Sequence, residues 1–285
     1  MSIWNDLSWV EGIRTPFFNF FFYNVSLTGY PIFLFLFIAF GYFFWSPQRF
    51  SRVAMLLFIS AVINSFLKDL FQDPRPPEDF MLDGGTGTSY GWPSGHAQIA
   101  VTLWGLLAYE LKNKFISIGA ITFILLVAFS RMYLGVHDLG DVAAGLLIGG
   151  FILLLWHFAV VNKLYEKFDK LSWFFILIAC QFFVHLLYPS HEGHEISNWL
   201  LGAMTGWFLG ASNLVLASNN LIKLLLSLIS SMAVFFLMIF LFQLEGLIEL
   251  SGLISVLYSY SLGLFFSIFV SWVIPRFWKL FNLAN

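Results

Sequence analysis

Charge is what this sequence has least of. Only 11% of its 285 residues are Asp, Glu, Lys or Arg, where a soluble domain carries about 25%. With 59% hydrophobic residues and a mean hydropathy of +0.83, that scarcity excludes a water-soluble fold, because the polar surface cannot cover the apolar one. The bilayer is the solvent such a composition requires. Cysteine is nearly absent. Cys180 stands alone, which excludes an intramolecular disulfide and any Cys-rich metal site. The opening Met1-Ser2-Ile3-Trp4-Asn5-Asp6 lacks the basic start of a signal peptide, so no cleaved segment is expected. Low-complexity tails and interdomain linkers are missing too, and no nucleic-acid partner is expected.

What remains is apolar and aromatic, including 36 Phe. Runs of the length a membrane-crossing helix needs, about 20 residues, fall near 29–46, 50–72, 94–111, 115–133, 139–161, 171–189, 197–217, 220–243 and 251–275. The expected fold is therefore all-α, a polytopic transmembrane helix bundle of about nine spans. Residues 1–28 hold Asp6, Glu11, Arg14 and a Phe-rich patch from Phe17 to Phe22; they read as an amphipathic segment in the interface. An N-terminus outside and a C-terminus inside put ten of the 14 basic residues on the inner side, as the positive-inside rule requires. The four outer exceptions are Arg14, Lys68, Arg75 and Arg131.

Three of those four belong to short elements that this topology gathers at one outer surface. Lys68 lies in the last turns of the second span, and Arg75 follows between Pro74 and Pro76, which stop the helix. Pro93-Ser94-Gly95-His96 opens the third span, where backbone N–H groups and the helix dipole favour an anion and a glycine lets it approach. Ser130-Arg131 closes the fourth span. His137 and Asp141, four residues apart, share a face of a helix opening at about 137. Read singly, each has a plain structural account: Lys68 snorkels, Pro93 starts a helix, and Asp138 or Asp141 caps one. Read together, they collect three cations for an anion and two histidines with an aspartate for chemistry. That is the composition of a phosphoryl-transfer site without a metal cage. Spacing alone leaves open which histidine attacks.

Lys-x6-Arg-Pro, Pro-Ser-Gly-His and Ser-Arg-x5-His-x3-Asp, eleven identities across residues 68–141, resemble the tripartite signature of the type 2 phosphatidic acid phosphatase (PAP2) superfamily. The resemblance implies a PAP2-like core and phosphohydrolysis with no metal and no cofactor. It makes His137 the nucleophile that becomes phosphohistidine and Asp141 its orienting carboxylate. His96 becomes the general acid that protonates the leaving alkoxide and then the base that activates water. Lys68, Arg75, Ser94, Gly95 and Arg131 would bind the phosphate oxygens. One clear span before the motif and four after the core are similar to the glucose-6-phosphatase and sphingosine-phosphate phosphatase branches. The chain accordingly divides into 1–28, a catalytic core over 29–162 and C-terminal spans over 163–285.

The leading expectation is an integral-membrane phosphatase of a lipid phosphate monoester or pyrophosphate, with membrane lipids as its partners. Its site would face the periplasm or exterior of a plasma membrane, or the lumen of an organelle. A sugar-phosphate phosphatase or a phosphotransferase is the alternative, and a non-enzymatic lipid binder is disfavoured by the intact residue set. Further features carry less. His185, His191 and His194 with Glu192 and Glu195 form a polar segment after the sixth span. Glu245 and Glu249 lie in a later outer loop, His157 reads as an interfacial residue, and Gly145, Gly149 and Gly150 read as close helix packing.

Overall fold

The computed structural model describes residues 6–86, 89–164, 167, 169–187, 194–210, 220–247, 250 and 252–280. Among them there is helix and no strand, as a bilayer demands when every backbone polar group must be satisfied within its own segment. The helices are α1 (Ser8–Glu11), α2 (Pro16–Leu27), α3 (Pro31–Phe40), α4 (Pro47–Phe71), α5 (Gly95–Leu111), α6 (Lys114–Tyr133), α7 (Leu139–Val161), α8 (Lys170–Leu187), α9 (His194–Gly210), α10 (Asn220–Leu247), α11 (Gly252–Ile268) and α12 (Ile274–Leu280). Among the described residues five stretches are long and apolar enough to cross a membrane, or six if the broken pair Pro16–Leu27 and Pro31–Trp45 counts as one. The expected spans at 94–111, 171–189 and 197–217 correspond to helices over the described residues; α5 has only 17 residues, and 188–189 and 211–217 lie outside the described residues. The lipid-facing character is plain on α7, where Leu147, Phe151, Leu154 and Phe158 form an exposed apolar row at helical spacing. The protein is an integral membrane protein.

The chain packs as two units that interleave in sequence, residues 1–33 with 63–164 and residues 34–62 with 165–285. In the first unit, α5 packs on both α6 and α7, and α2 packs on α6. The approach of α7 to α5 is close because Gly145 and Gly149 face it. A Cβ on Gly145 would stand 2.4 Å from the Ser94 carbonyl oxygen, and one on Gly149 would stand 2.8 Å from that of Gln98. Gly150 faces open space, so it takes no part in this packing. Val25, Ala100 and Val127 form one small apolar cluster, and Phe22, Tyr133, Leu134 and Val136 another.

The second unit is held by aromatic rings and by one close helix crossing. Trp207, Trp278, Tyr42 and Phe43 are almost fully buried, and Phe35 meets Trp199 and Phe266 edge to face at 5.5 and 5.1 Å. Where α9 crosses α11, a Cβ on Gly263 would lie 1.9 Å from the Trp199 carbonyl oxygen, and one on Gly202 would lie 2.0 Å from that of Tyr260. Only glycine fits there, and it brings the two backbones into contact.

Candidate active site

The site is built in the first unit, where three helix ends and the 72–94 connection meet. The helix α4 stops at Phe71, and Gln72 takes a left-handed conformation with φ 50°. Asn64, on the same helix as Lys68, donates to the Pro93 carbonyl at 3.2 Å and to Gln98 Oε1 at 2.9 Å. It thereby ties α4 to the turn that opens α5. Gly95 owes its lack of a side chain to this contact, since a Cβ would sit 2.8 Å from Asn64 Oδ1. Ser94 is the N-cap of α5, with Pro93 one residue before the cap. The Ser94 N–H donates to the Asp141 carbonyl at 3.0 Å, which fastens the start of α5 to the first turn of α7.

That first turn is a capping box. Asp138 is the N-cap of α7 and accepts from the Asp141 N–H at 2.9 Å, while Asp141 Oδ2 accepts from the Asp138 N–H at 3.3 Å. The same Oδ2 lies 2.9 Å from His137 Nδ1. His137 is thus outside the helix, two residues before Leu139, rather than on its face. The pair meets because the cap holds the carboxylate there. Gly135, with φ +72°, allows the turn between α6 and His137, as a Cβ would collide with the Phe80 carbonyl.

The tautomer of His137 follows from its neighbours. Arg75 Nη1 stands 3.3 Å from Nε2, and a guanidinium can only donate. Nε2 therefore presents a lone pair, and Nδ1–H donates to Asp141. Arg75 is held in place by Ser89 O at 2.6 Å, Ser89 Oγ at 2.8 Å and Val136 O at 2.8 Å. Burial, and next the nearby Arg131, push its pKa down to about 10, so it stays cationic at neutral pH. Burial first, then the charges of Lys68, Arg131, Arg75 and His96, hold the His137 imidazole well below the ordinary histidine range. Lys68 Nζ donates to the Tyr90 and Gly91 carbonyls, the latter at 3.0 Å.

The other side of the site belongs to His96 and Arg131. Tyr30 meets the His96 ring edge on at 4.7 Å. Arg131 is 1% exposed; its Nη1 donates to Ser26 Oγ and, at 2.9 Å, to Asp83 Oδ2. Three buried polar atoms here lack a hydrogen-bond partner among the described residues: Ser94 Oγ, His96 Nε2 and Arg131 Nε. Buried polar groups are seldom left so, and all three belong to residues assigned above to phosphate or proton handling.

Lys68, Arg75, Ser94, Gly95, His96, Arg131, His137 and Asp141 are therefore gathered by one local network. Ser26, Gly29, Tyr30, Asn64 and Asp83 join them without having been singled out in the sequence. They lie outside the motif or between its parts, and Asp83 alone stands beside a glycine pair, Gly84-Gly85, in the connection between the first two motif elements. A Cβ on Gly29 would overlap the His96 ring. Elsewhere, His157 Nδ1 lies 3.0 Å from the Tyr109 hydroxyl. Glu245 falls within α10 rather than in a loop. His191, Glu192 and Glu249 lie outside the described residues, whereas His185 and His194 sit on the backbones of α8 and α9.

The PAP2 superfamily model matches residues 49–165. The lipid A 4'-phosphatase of Bacteroides thetaiotaomicron is 31% identical over 180 residues, covering 58% of this chain and 79% of that protein. Lipid phosphate phosphatase delta of Arabidopsis thaliana is 30% identical over 225 residues, 69% of this chain and 52% of that one. Phosphatidylglycerophosphatase B of Bacillus subtilis is 29% identical over 171 residues, 55% of this chain and 80% of that one. The chain belongs to the PAP2 superfamily, and it is a phosphatase.

Proposed function

We propose that this protein hydrolyses a phosphate monoester carried by a membrane lipid, through a phosphohistidine on His137. The observation that carries the reading is the His137 ring itself, with Nδ1 tied to Asp141 and the Nε2 lone pair turned toward Arg75. That is an imidazole held in the one tautomer that can attack. In the first step Nε2 bonds to phosphorus as the P–O bond to the lipid breaks, and His96 gives its proton to the leaving alkoxide. In the second, His96 takes a proton from water, whose oxygen displaces Nε2 and releases inorganic phosphate. Lys68, Arg75 and Arg131, with Ser94 and the backbone at Gly95, receive the phosphate oxygens, whose negative charge favours protonated His96 among the surrounding cations. Asp141 keeps the proton on Nδ1 and balances the charge of His137.

A lipid substrate is supported by relatives that are themselves phosphatases of lipid A, lipid phosphates and phosphatidylglycerophosphate. It also suits a site at helix ends in a chain whose surface is apolar. We assign the site to the outer or lumenal face, with residues 29–162 as the catalytic core and 163–285 as accessory spans. Phosphate release by the purified protein in detergent tests the reaction against phosphatidic acid, sphingosine phosphate, phosphatidylglycerophosphate, a lipid A phosphate, undecaprenyl pyrophosphate and glucose 6-phosphate. A lipid monoester should be preferred and the activity lost in His137→Ala; preference for glucose 6-phosphate would overturn the lipid assignment. For the face, Gly84→Cys in a Cys180→Ala background is the suitable probe, because nothing lies within 4 Å of a Cβ at Gly84. An impermeant thiol reagent should label it in intact cells. Labelling only after permeabilisation would reverse the topology or move the protein to an internal membrane.

A further inference from the structure

Arg131 is a buried cation whose orientation depends on residues outside the three motif elements. Its Nη1 has two N–H groups and two acceptors, Ser26 Oγ and Asp83 Oδ2. Its Nε, on the edge best shaped for two oxygens of a phosphate, is buried and has no partner among the described residues. Asp83 is 3% exposed, and both of its oxygens are engaged. Oδ1 accepts from the Gly85 N–H at 3.0 Å, and Oδ2 accepts from the Tyr30 hydroxyl at 2.7 Å as well as from Arg131. Tyr30 completes the link: its ring meets the His96 ring at 4.7 Å and lies 5.8 Å from the Arg131 guanidinium carbon. One hydroxyl and one carboxylate thus connect the phosphate cation to the proton-transfer histidine.

We propose that Asp83 and Tyr30 are positioning residues for phosphate binding: Asp83 anchors the Nη1 end of Arg131 so that its Nε edge faces the phosphate, and Tyr30 holds Asp83 while bracing His96. The inference rests on the role given above to Arg131. The opposite role, a carboxylate that competes with phosphate for Arg131, fits the geometry poorly. A competitor would take the unpartnered edge, whereas Asp83 takes the far nitrogen and is itself fixed by Tyr30 and Gly85. An arginine has many rotamers to lose, so a fixed end lowers the cost of presenting the other end to a ligand.

The test is the affinity of the full-length, detergent-purified protein for inorganic orthovanadate, a phosphate-shaped anion, measured by calorimetry together with the thermal midpoint. Asp83→Asn should weaken binding roughly tenfold and Tyr30→Phe about threefold, the latter keeping the ring and therefore the fold. In an Arg131→Ala background, Asp83→Asn should add less than a twofold change, because its effect passes through Arg131. Tighter binding in Asp83→Asn would make it a competitor and overturn the proposal. Unchanged affinity with a lowered thermal midpoint would reduce it to a structural residue, and a full tenfold loss on top of Arg131→Ala would show that it does not act through Arg131. An unsubstituted protein that binds no orthovanadate and hydrolyses no panel substrate would overturn the underlying function as well, whereas one that does both while Asp83→Asn matches it overturns this proposal alone.

Discussion

The two packing units differ most in what they bury. Every buried aspartate, arginine and histidine among the described residues lies in the unit of residues 1–33 and 63–164: Asp69, Asp83, Arg131, His137, Asp138 and Asp141. The described residues of the unit 34–62 and 165–285 bury rings, aliphatic side chains, hydroxyls and the Asn198 amide, none of them charged. Its Ser227, Ser231 and Ser271 each donate to the carbonyl four residues back, a local solution that asks nothing of a neighbour. Buried charge is costly in any protein and more so in a membrane, so its confinement to one unit marks where the fold has traded stability for chemistry.

The sharpest way to break that contrast is His137→Ala. Turnover should fall by on the order of a thousandfold or more, far beyond what the modest loss of stability from leaving Asp141 without its imidazole partner accounts for. Activity near that of the unsubstituted protein would end the nucleophile assignment. Gly263→Leu is the mirror experiment in the second unit. A side chain driven into the Trp199 carbonyl should cost about 1–3 kcal/mol or more by overpacking, lowering the thermal midpoint while leaving turnover per folded molecule intact. A loss of turnover at unchanged stability would give that unit a direct part in catalysis.

Acid sharpens the comparison further. His137 is held well below the ordinary histidine range, so the unfolded chain takes up its proton below about pH 6.5 while the folded site still refuses it. Its contribution to stability is present above that pH and is lost as the pH falls. The same refusal keeps the nucleophile neutral, so the acid limb that His137 imposes on kcat/KM in the free enzyme should lie below pH 6.5; a limb at or above 6.5 that His137 variants abolish would contradict the environment described. The smallest expected effect is that of EDTA. With Lys68, Arg75 and Arg131 to meet phosphate charge, chelation should leave turnover unchanged, and a complete loss restored by zinc or magnesium would reassign the electrostatics to a metal.

Much of the site could be read from the linear chain because its chemistry uses residues at fixed short spacings. Pro-Ser-Gly-His and His-x3-Asp are each one turn long, so local backbone geometry brings their groups together whatever the rest of the fold does. The pairing of His137 with Asp141 was legible for that reason, although it arises through a capping box rather than a shared helical face. The helices were legible from hydropathy. Their number as spans was less so, because α5 is shorter than a simple crossing needs, and length alone does not tell a short span from a buried helix. Glycine roles were read only in part. Gly145 and Gly149 do pack closely, Gly150 does not, and Gly95 makes room for Asn64; which side of a helix faces a neighbour is not written in a run of small residues.

By itself, then, the amino-acid sequence determined the solvent and the all-helical class and singled out the candidate site residues, since each depends on composition or on residues at short fixed spacings. The tertiary structure alone decided that Asn64 braces the Pro-Ser-Gly-His turn. It alone brought Tyr30 and Asp83 from 53 residues apart onto one carboxylate hydrogen bond, and placed Asp83 on an arginine 48 residues further on. Such contacts depend on how helices pack around a buried charge, and no local pattern specifies that.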